Sequence, residues 1–158
     1  MDLSTFVSRL DEKLDTDAYS DLDASANGLQ VGPDEKPLDH AAFAVDAAVA
    51  TIEDAADAGA DALVTHHGLS WGGIERVTDR HYDRISALVD NNIALYVSHL
   101  PLDGHQTLGN AAAIADLLDL DDTKPFGTMG PEVVGQQGVA PASLTRDELA
   151  TTLEADLE

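Results

Sequence analysis

Ala62-Leu63-Val64-Thr65-His66-His67-Gly68-Leu69 is the stretch on which the fold turns. Apolar and β-branched residues followed by two histidines and a glycine predict a buried strand that runs out into a polar turn. Ahead of it, residues 49–58 form an alanine-rich helical pattern that stops at Gly59. Further back, Ala41 to Val45 is a short apolar run closed by Asp46, suited to another buried strand. On the other side, residues 70–78 read as a loop with Trp71, Gly72 and Gly73. A helix carrying Tyr82, Ile85, Leu88 and Val89 then leads to a third strand, Ile93 to Val97. Strands alternating with helices predict an α/β fold, a mostly parallel sheet with flanking helices.

The flanks extend this pattern. Leu3, Phe6, Val7, Leu10 and Leu14 recur at helical spacing, which predicts an amphipathic helix over residues 3–15. A polar stretch follows and ends in Asn27-Gly28-Leu29-Gln30-Val31-Gly32, after which Pro33 and Pro37 punctuate a loop. Beyond the third strand come Ser98-His99-Leu100-Pro101-Leu102-Asp103-Gly104-His105 and a helix from about Leu108 to Leu118. A loop with Pro125, Gly127 and Gly130, a weakly alternating strand over Glu132 to Val139, and a helix over 145–157 complete the chain.

Composition narrows the function classes. Hydrophobic residues make up 44% of the 158, enough to build a core, so the acidity does not imply disorder. Thirty acidic residues stand against eight basic ones, a net charge of −22. They are spread along every segment, which argues against an acidic interaction tail. Such a surface repels itself at ordinary salt, and the repulsion is screened at molar salt, where the Debye length is about 3 Å. A halophilic, salt-loaded cytoplasm is the expected setting. No cluster of Lys or Arg exists to neutralise phosphates, so no nucleic-acid partner is expected. With no cysteine, disulfides, thiolate zinc sites and a Cys nucleophile are excluded. Asp2, Asp11 and Glu12 near the N-terminus argue against a signal peptide, and no apolar run is long enough to span a bilayer. A cytoplasmic location without a membrane partner is expected.

Chemistry gathers just past two predicted strand ends. In open parallel sheets, sites form outside the carboxyl ends of the strands. His66 and His67 follow the second strand, and His99 and Asp103 follow the third, so all four are expected at one edge; Asp46, ending the first strand, lands there too. Adjacent residues on an extended backbone point to opposite sides, so His66 and His67 are expected to hold one ion each. Pro101 and Gly104 make the His99–Asp103 segment a turn whose side chains can converge. Imidazoles with a carboxylate suit Zn²⁺, Fe²⁺, Mn²⁺ or Ni²⁺, and not Ca²⁺ or Mg²⁺. A carboxylate is the natural bridge between two ions about 3.5–4 Å apart, which can acidify a water held between them. Against this stands the plainer alternative that a His near a strand end is a hydrogen-bonded structural residue. His40 and His81 are expected to be exposed, and no nucleophile elbow, Walker loop or HExxH helix is present.

The segments Asn27-Gly28-Leu29-Gln30-Val31-Gly32, Ala44-Val45-Asp46, Thr65-His66-His67-Gly68-Leu69, Ser98 to His105 and Gly109-Asn110 resemble, in order and spacing, the NIF-three-like dinuclear metal family. Its members are often labelled GTP cyclohydrolase 1 type 2 homologues. The resemblance covers about residues 1–120 and implies a two-metal centre, a ring-shaped homohexamer and a nucleotide substrate. It implies that His66 and His67 are paired ligands, that Asp103 is the carboxylate ligand, and that His99 is a further His at the site. Asp46, Asn27 and His105 match positions near the centre, where orienting a turn or a ligand is the expected role. Trp71 matches an aromatic after the histidine pair, with core packing, a subunit contact or substrate stacking as its alternatives. The family completes its metal site with a His and a Glu four residues apart in a second half. Here no histidine follows His105, and Glu148, Glu154 and Glu158 have no such partner, so the chain reads either as a truncated piece or as a short form with half of the site; two divalent ions are the expected cofactor, with a single ion as the alternative for this short chain. The implied organisation is a metal-binding α/β domain over 1–120, with 121–158 beginning a linker or second region. The expected function is a dinuclear, hydrolase-like metal protein, with a non-catalytic metal-binding scaffold or regulatory interaction protein as the alternative.

Overall fold

The computed structural model describes residues 1–141 and 143–156; residue 157, the last of the helix expected over 145–157, and Glu158 lie outside them. The chain divides into two compact units, Met1–Leu102 and Asp103–Glu158.

In the first unit, α1 (Leu3–Leu14) and a single 3-10 turn (Thr16–Tyr19) precede β1 (Gly28–Val31) and β2 (Ala41–Asp46). Then follow α2 (Val49–Asp57), β3 (Ala62–His67), α3 (Asp79–Asp90), β4 (Ala94–Val97) and the short α4 (Leu100–Asp103), whose last residue opens the second unit. The sheet order is β1-β4-β3-β2. β2 and β3 are parallel, as are β3 and β4, while β1 runs antiparallel to β4. The sheet is therefore mostly parallel, with helices against it.

Burial explains why short strands suffice. All four residues of β4 are buried. Leu63, Leu95 and Val97 pack with Ile52 and Ala55 of α2 and Leu88 of α3. On the other face, Leu3 of α1 joins Leu38, Ala62 and Ala94, with Phe6 and Val7 packed against them. Each such large side chain contributes about 1.5–3 kcal/mol by leaving water. Gly32 permits the close fit there. A Cβ would meet Ala94 Cβ at 3.1 Å and Leu29 Cδ1 at 3.2 Å, and its φ of +153° favours glycine.

Several expectations need correction. Gly28–Val31, expected only as the end of a polar stretch, is a strand. Its own sequence is a poor strand former, and pairing with fully buried β4 supplies what local propensity does not. β2 is not buried on both faces. It is one of the two edge strands, and Phe43 and Val45 are 72% and 69% exposed while Ala42 and Ala44 pack inward. His66 and His67 belong to β3 itself, where they are its last two residues.

The second unit contains α5 (Asn110–Leu117), β5 (Asp121–Met129), β6 (Glu132–Val139) and α6 (Arg146–Asp156). β5 and β6 form an antiparallel hairpin turned at Gly130, whose φ is +58°. The segment with Pro125 and Gly127 is thus a strand and not a loop. Proline is tolerated because β5 pairs on one side only, with β6. β6 is accordingly a hairpin strand rather than a further parallel strand of the sheet. No helix among the described residues is long and apolar enough to cross a membrane.

Candidate metal centre

β3 delivers His66 and His67 at its carboxyl end, and His99 follows β4 by two residues. The structure brings these three together, with one donor nitrogen from each within 4.8 Å of the others. Ring centroids are 4.7 Å apart for His66–His67, 4.8 Å for His66–His99 and 5.7 Å for His67–His99. The two adjacent imidazoles therefore do not separate as simple strand alternation predicts. β4 ends at Val97, opposite Thr65. Beyond that pair, His66 can lean past the strand end toward Ser98, whose carbonyl accepts from its Nδ1 at 3.1 Å.

That bond decides the chemistry of His66. A carbonyl only accepts, so Nδ1 carries the proton and Nε2 the lone pair that a cation needs. Metal-binding histidines characteristically donate their second ring N–H to a carbonyl or carboxylate in this way. His66 and His99 are half-buried and His67 is exposed, so a cation would be reachable from solvent. Ligands of one zinc-sized ion, at about 2.0–2.1 Å each, lie at most about 4.2 Å apart. An envelope of 4.8 Å suits closure on one ion by sub-ångström ring movements, or a pair of ions. Two buried hydroxyls beside this group, Ser98 Oγ and Ser25 Oγ, have no hydrogen-bond partner among the described residues. Unsatisfied buried polar atoms are rare in folded chains, and a bound water or ion is one thing that satisfies them. Three converging imidazoles therefore fit a borderline divalent metal, in a setting that leaves polar atoms to be satisfied.

The neighbouring expectations resolve individually. Asp46, opposite His67 in the sheet, accepts from Ala48 N at 2.9 Å and Thr51 Oγ1 at 3.4 Å, so it organises the start of α2. Asn27 Oδ1 accepts from the backbone N–H of His99 at 2.7 Å. Trp71 is 55% exposed, which removes core packing from its alternatives; its indole stands edge-on to His99 at 4.6 Å and to His67 at 5.9 Å. In the second unit, Asp103 Oδ1 accepts from Asn110 Nδ2 at 2.6 Å, and His105 Nδ1 accepts from Leu108 N at 3.1 Å. His40 is exposed as expected, whereas His81 is half-buried with a shielded Nδ1.

Gly68 and Gln30 join two of the sequence motifs physically. A Cβ at Gly68 would fall 2.4–2.8 Å from the Gln30 amide, which is held by Ala26 O at 2.6 Å and Leu69 N at 2.9 Å.

Asp23 was not legible as a site residue. Its side chain is 2% exposed and lies 3.1 Å from His99 Nδ1. Burial alone pushes its carboxyl up, but donors from Asn27, Ser25, Leu100 and His99 outweigh that and hold it below the usual carboxylate range. Among thirty acids nothing in the sequence distinguishes it except its position four residues before Asn27.

A family model described as Duf34/NIF3 (NGG1p interacting factor 3) matches residues 1–158. The chain belongs to that family. It is 52% identical over 157 residues to a Halobacterium salinarum protein named GTP cyclohydrolase 1 type 2 homolog, covering 99% of this chain and 61% of that one. A Pyrococcus abyssi protein of the same name is 42% identical, over 80% of this chain and 50% of its own length. Among solved structures, that of TTHA1606 from Thermus thermophilus superposes with a TM-score of 0.87 at 33% identity, over 98% of this chain and 61% of that one. Reduced HcgD from Methanocaldococcus jannaschii gives a TM-score of 0.76 at 28% identity, over 98% and 60%. The chain thus spans between half and about three-fifths of the length of these family members.

Proposed function

We propose that this protein is a divalent-metal-dependent, hydrolase-like member of the family, with His66, His67 and His99 as ligands and Asp103 as the carboxylate ligand. The observation that carries this is the convergence of three imidazole donors within 4.8 Å at the carboxyl end of a parallel sheet. A bound ion would supply Lewis acidity, polarising a substrate oxygen and lowering the pKa of water. His66 and His99 would hold their positions through Ser98 and Asp23, and Trp71 would shield one side of the group. The dinuclear form and the borderline metals Zn²⁺, Fe²⁺, Mn²⁺ or Ni²⁺ follow from the family resemblance and the donor chemistry.

The relatives' name suggests GTP as substrate, with attack on the purine ring and loss of formate. Formate release from GTP, assayed with and without added Zn²⁺ or Fe²⁺, tests this. Metal-dependent release supports it; no turnover above the metal-only blank ends the GTP proposal. Metal binding with no turnover of any nucleotide would instead favour a non-catalytic scaffold.

Assembly into a ring-shaped homohexamer is part of the same proposal, and its solution mass by light scattering should be six times that of the chain. A cytoplasmic, salt-rich setting fits the net charge of −22. The thermal midpoint should rise between about 0.1 M and 1 M KCl as the Debye length falls from about 10 Å to 3 Å; a flat response would contradict that setting.

A further inference from the structure

His99 differs from the other two imidazoles in how it is held. Its backbone N–H donates to Asn27 Oδ1 at 2.7 Å, and Asn27 Nδ2 donates to Asp23 Oδ2 at 2.8 Å. The ring Nδ1 lies 3.1 Å from both Asp23 oxygens, which closes a loop of bonds through three residues. Leu100 N and Ser25 N donate to the same carboxylate at 3.0 and 2.9 Å. A carboxylate with 2% of its side chain exposed would be costly if unpaired, yet here Oδ1 faces two donors and Oδ2 three, His99 Nδ1 being shared between them. Three other donors already face the carboxylate, so Nδ1 of His99 is the donor of this pair and Nε2 is the ring nitrogen left for a cation.

We propose that Asp23 is the positioning residue of the metal centre, fixing His99 in its Nδ1–H tautomer, presenting Nε2 to the cation and placing a negative charge behind that ligand. The role rests on the reading that the three imidazoles hold a divalent ion. Carboxylates behind ligating histidines fix the ring's orientation and raise its basicity. The segment that carries Asp23 also pins the aromatic wall of the site. Ser25 forms a β-bridge with Trp71, and Gly72 N donates to Ala24 O at 2.7 Å. Residues 23–27 thus set both His99 and Trp71.

Trp71 is the one tryptophan in the chain, so quenching of its fluorescence by Co²⁺ reports occupancy directly. Asp23→Asn should weaken apparent Co²⁺ affinity by about 10- to 100-fold. Asn27→Ala removes loop bonds but keeps the carboxylate behind His99, and should weaken it less. In the metal-free wild type, ¹⁵N NMR should find His99 as the Nδ1–H tautomer. Unchanged affinity in Asp23→Asn, equal weakening by Asn27→Ala, or an Nε2–H tautomer in the wild type would each overturn the proposal. Should Asp23→Asn not fold, the wild-type tautomer still decides. A wild type that binds no Co²⁺ in equilibrium dialysis overturns the metal reading first and this role with it. Binding that is equal in wild type and Asp23→Asn overturns only the role of Asp23.

Discussion

β4 in the first unit and β5 in the second make opposite use of the chain. β4 has four residues, all buried, with a strand on either side. β5 has nine, all exposed, and pairs only with β6. Strand length is therefore a poor guide to anchoring; what counts is apolar area removed from water. The candidate metal centre rests on the short buried strands, which can hold imidazoles in fixed positions.

The contrast can be broken most forcefully in the two strands themselves. Leu95→Ala empties a fully buried site beside Leu63 and Leu88 and should cost about 2–5 kcal/mol. Phe126→Ala on β5, where the ring is 59% exposed, should stay within about 0.5 kcal/mol. Urea unfolding followed by far-UV circular dichroism, to which the strands and helices of both units contribute, measures both. Equal effects would mean that the hairpin is as tightly integrated as the sheet.

A smaller effect sharpens the account of the sheet's carboxyl edge. Gly68→Ala must displace the Gln30 amide and strip Leu69 N of its acceptor, a cost of about 1–3 kcal/mol. Adding Gln30→Ala to Gly68→Ala should recover part of the steric loss. No recovery would show that the two residues do not compete for one space.

The smallest effect belongs to the opposite edge. Asp61 accepts from the backbone of Asp39 and His40, with burial opposing and Lys36 nearby assisting, and its carboxyl is held below the ordinary range. A depressed folded-state pKa gives stabilisation that is complete above the unfolded chain's value and is lost as pH falls through the folded one. Asp61→Asn should therefore lower stability slightly at neutral pH and flatten its decline in acid. Parallel wild-type and variant acid limbs would contradict this.

Local pattern made part of the molecule legible. β3, α2 and α3 announce themselves through runs and periods that their own residues complete. β1 and β5 do not, because Gly28, Gln30, Pro125 and Gly127 are poor strand formers, and the pairing that makes them strands lies elsewhere in the chain. The histidines were legible because a parallel sheet brings successive strand ends to one edge. Their convergence was not, since it depends on β4 ending opposite Thr65 and letting His66 reach Ser98. Asp23 was hidden for another reason. A site carboxylate in so acidic a chain is recognised by its donors, and these come from residues as distant as Leu100.

Metal content after desalting, compared between the wild type and the His66→Ala/His67→Ala double variant, tests the central claim most directly. The account predicts tightly held Zn, Fe, Mn or Ni in the wild type and none in the double variant, with the far-UV circular dichroism of both alike. Equal metal in the two proteins, or a metal-free wild type after growth and dialysis with these ions, would contradict it.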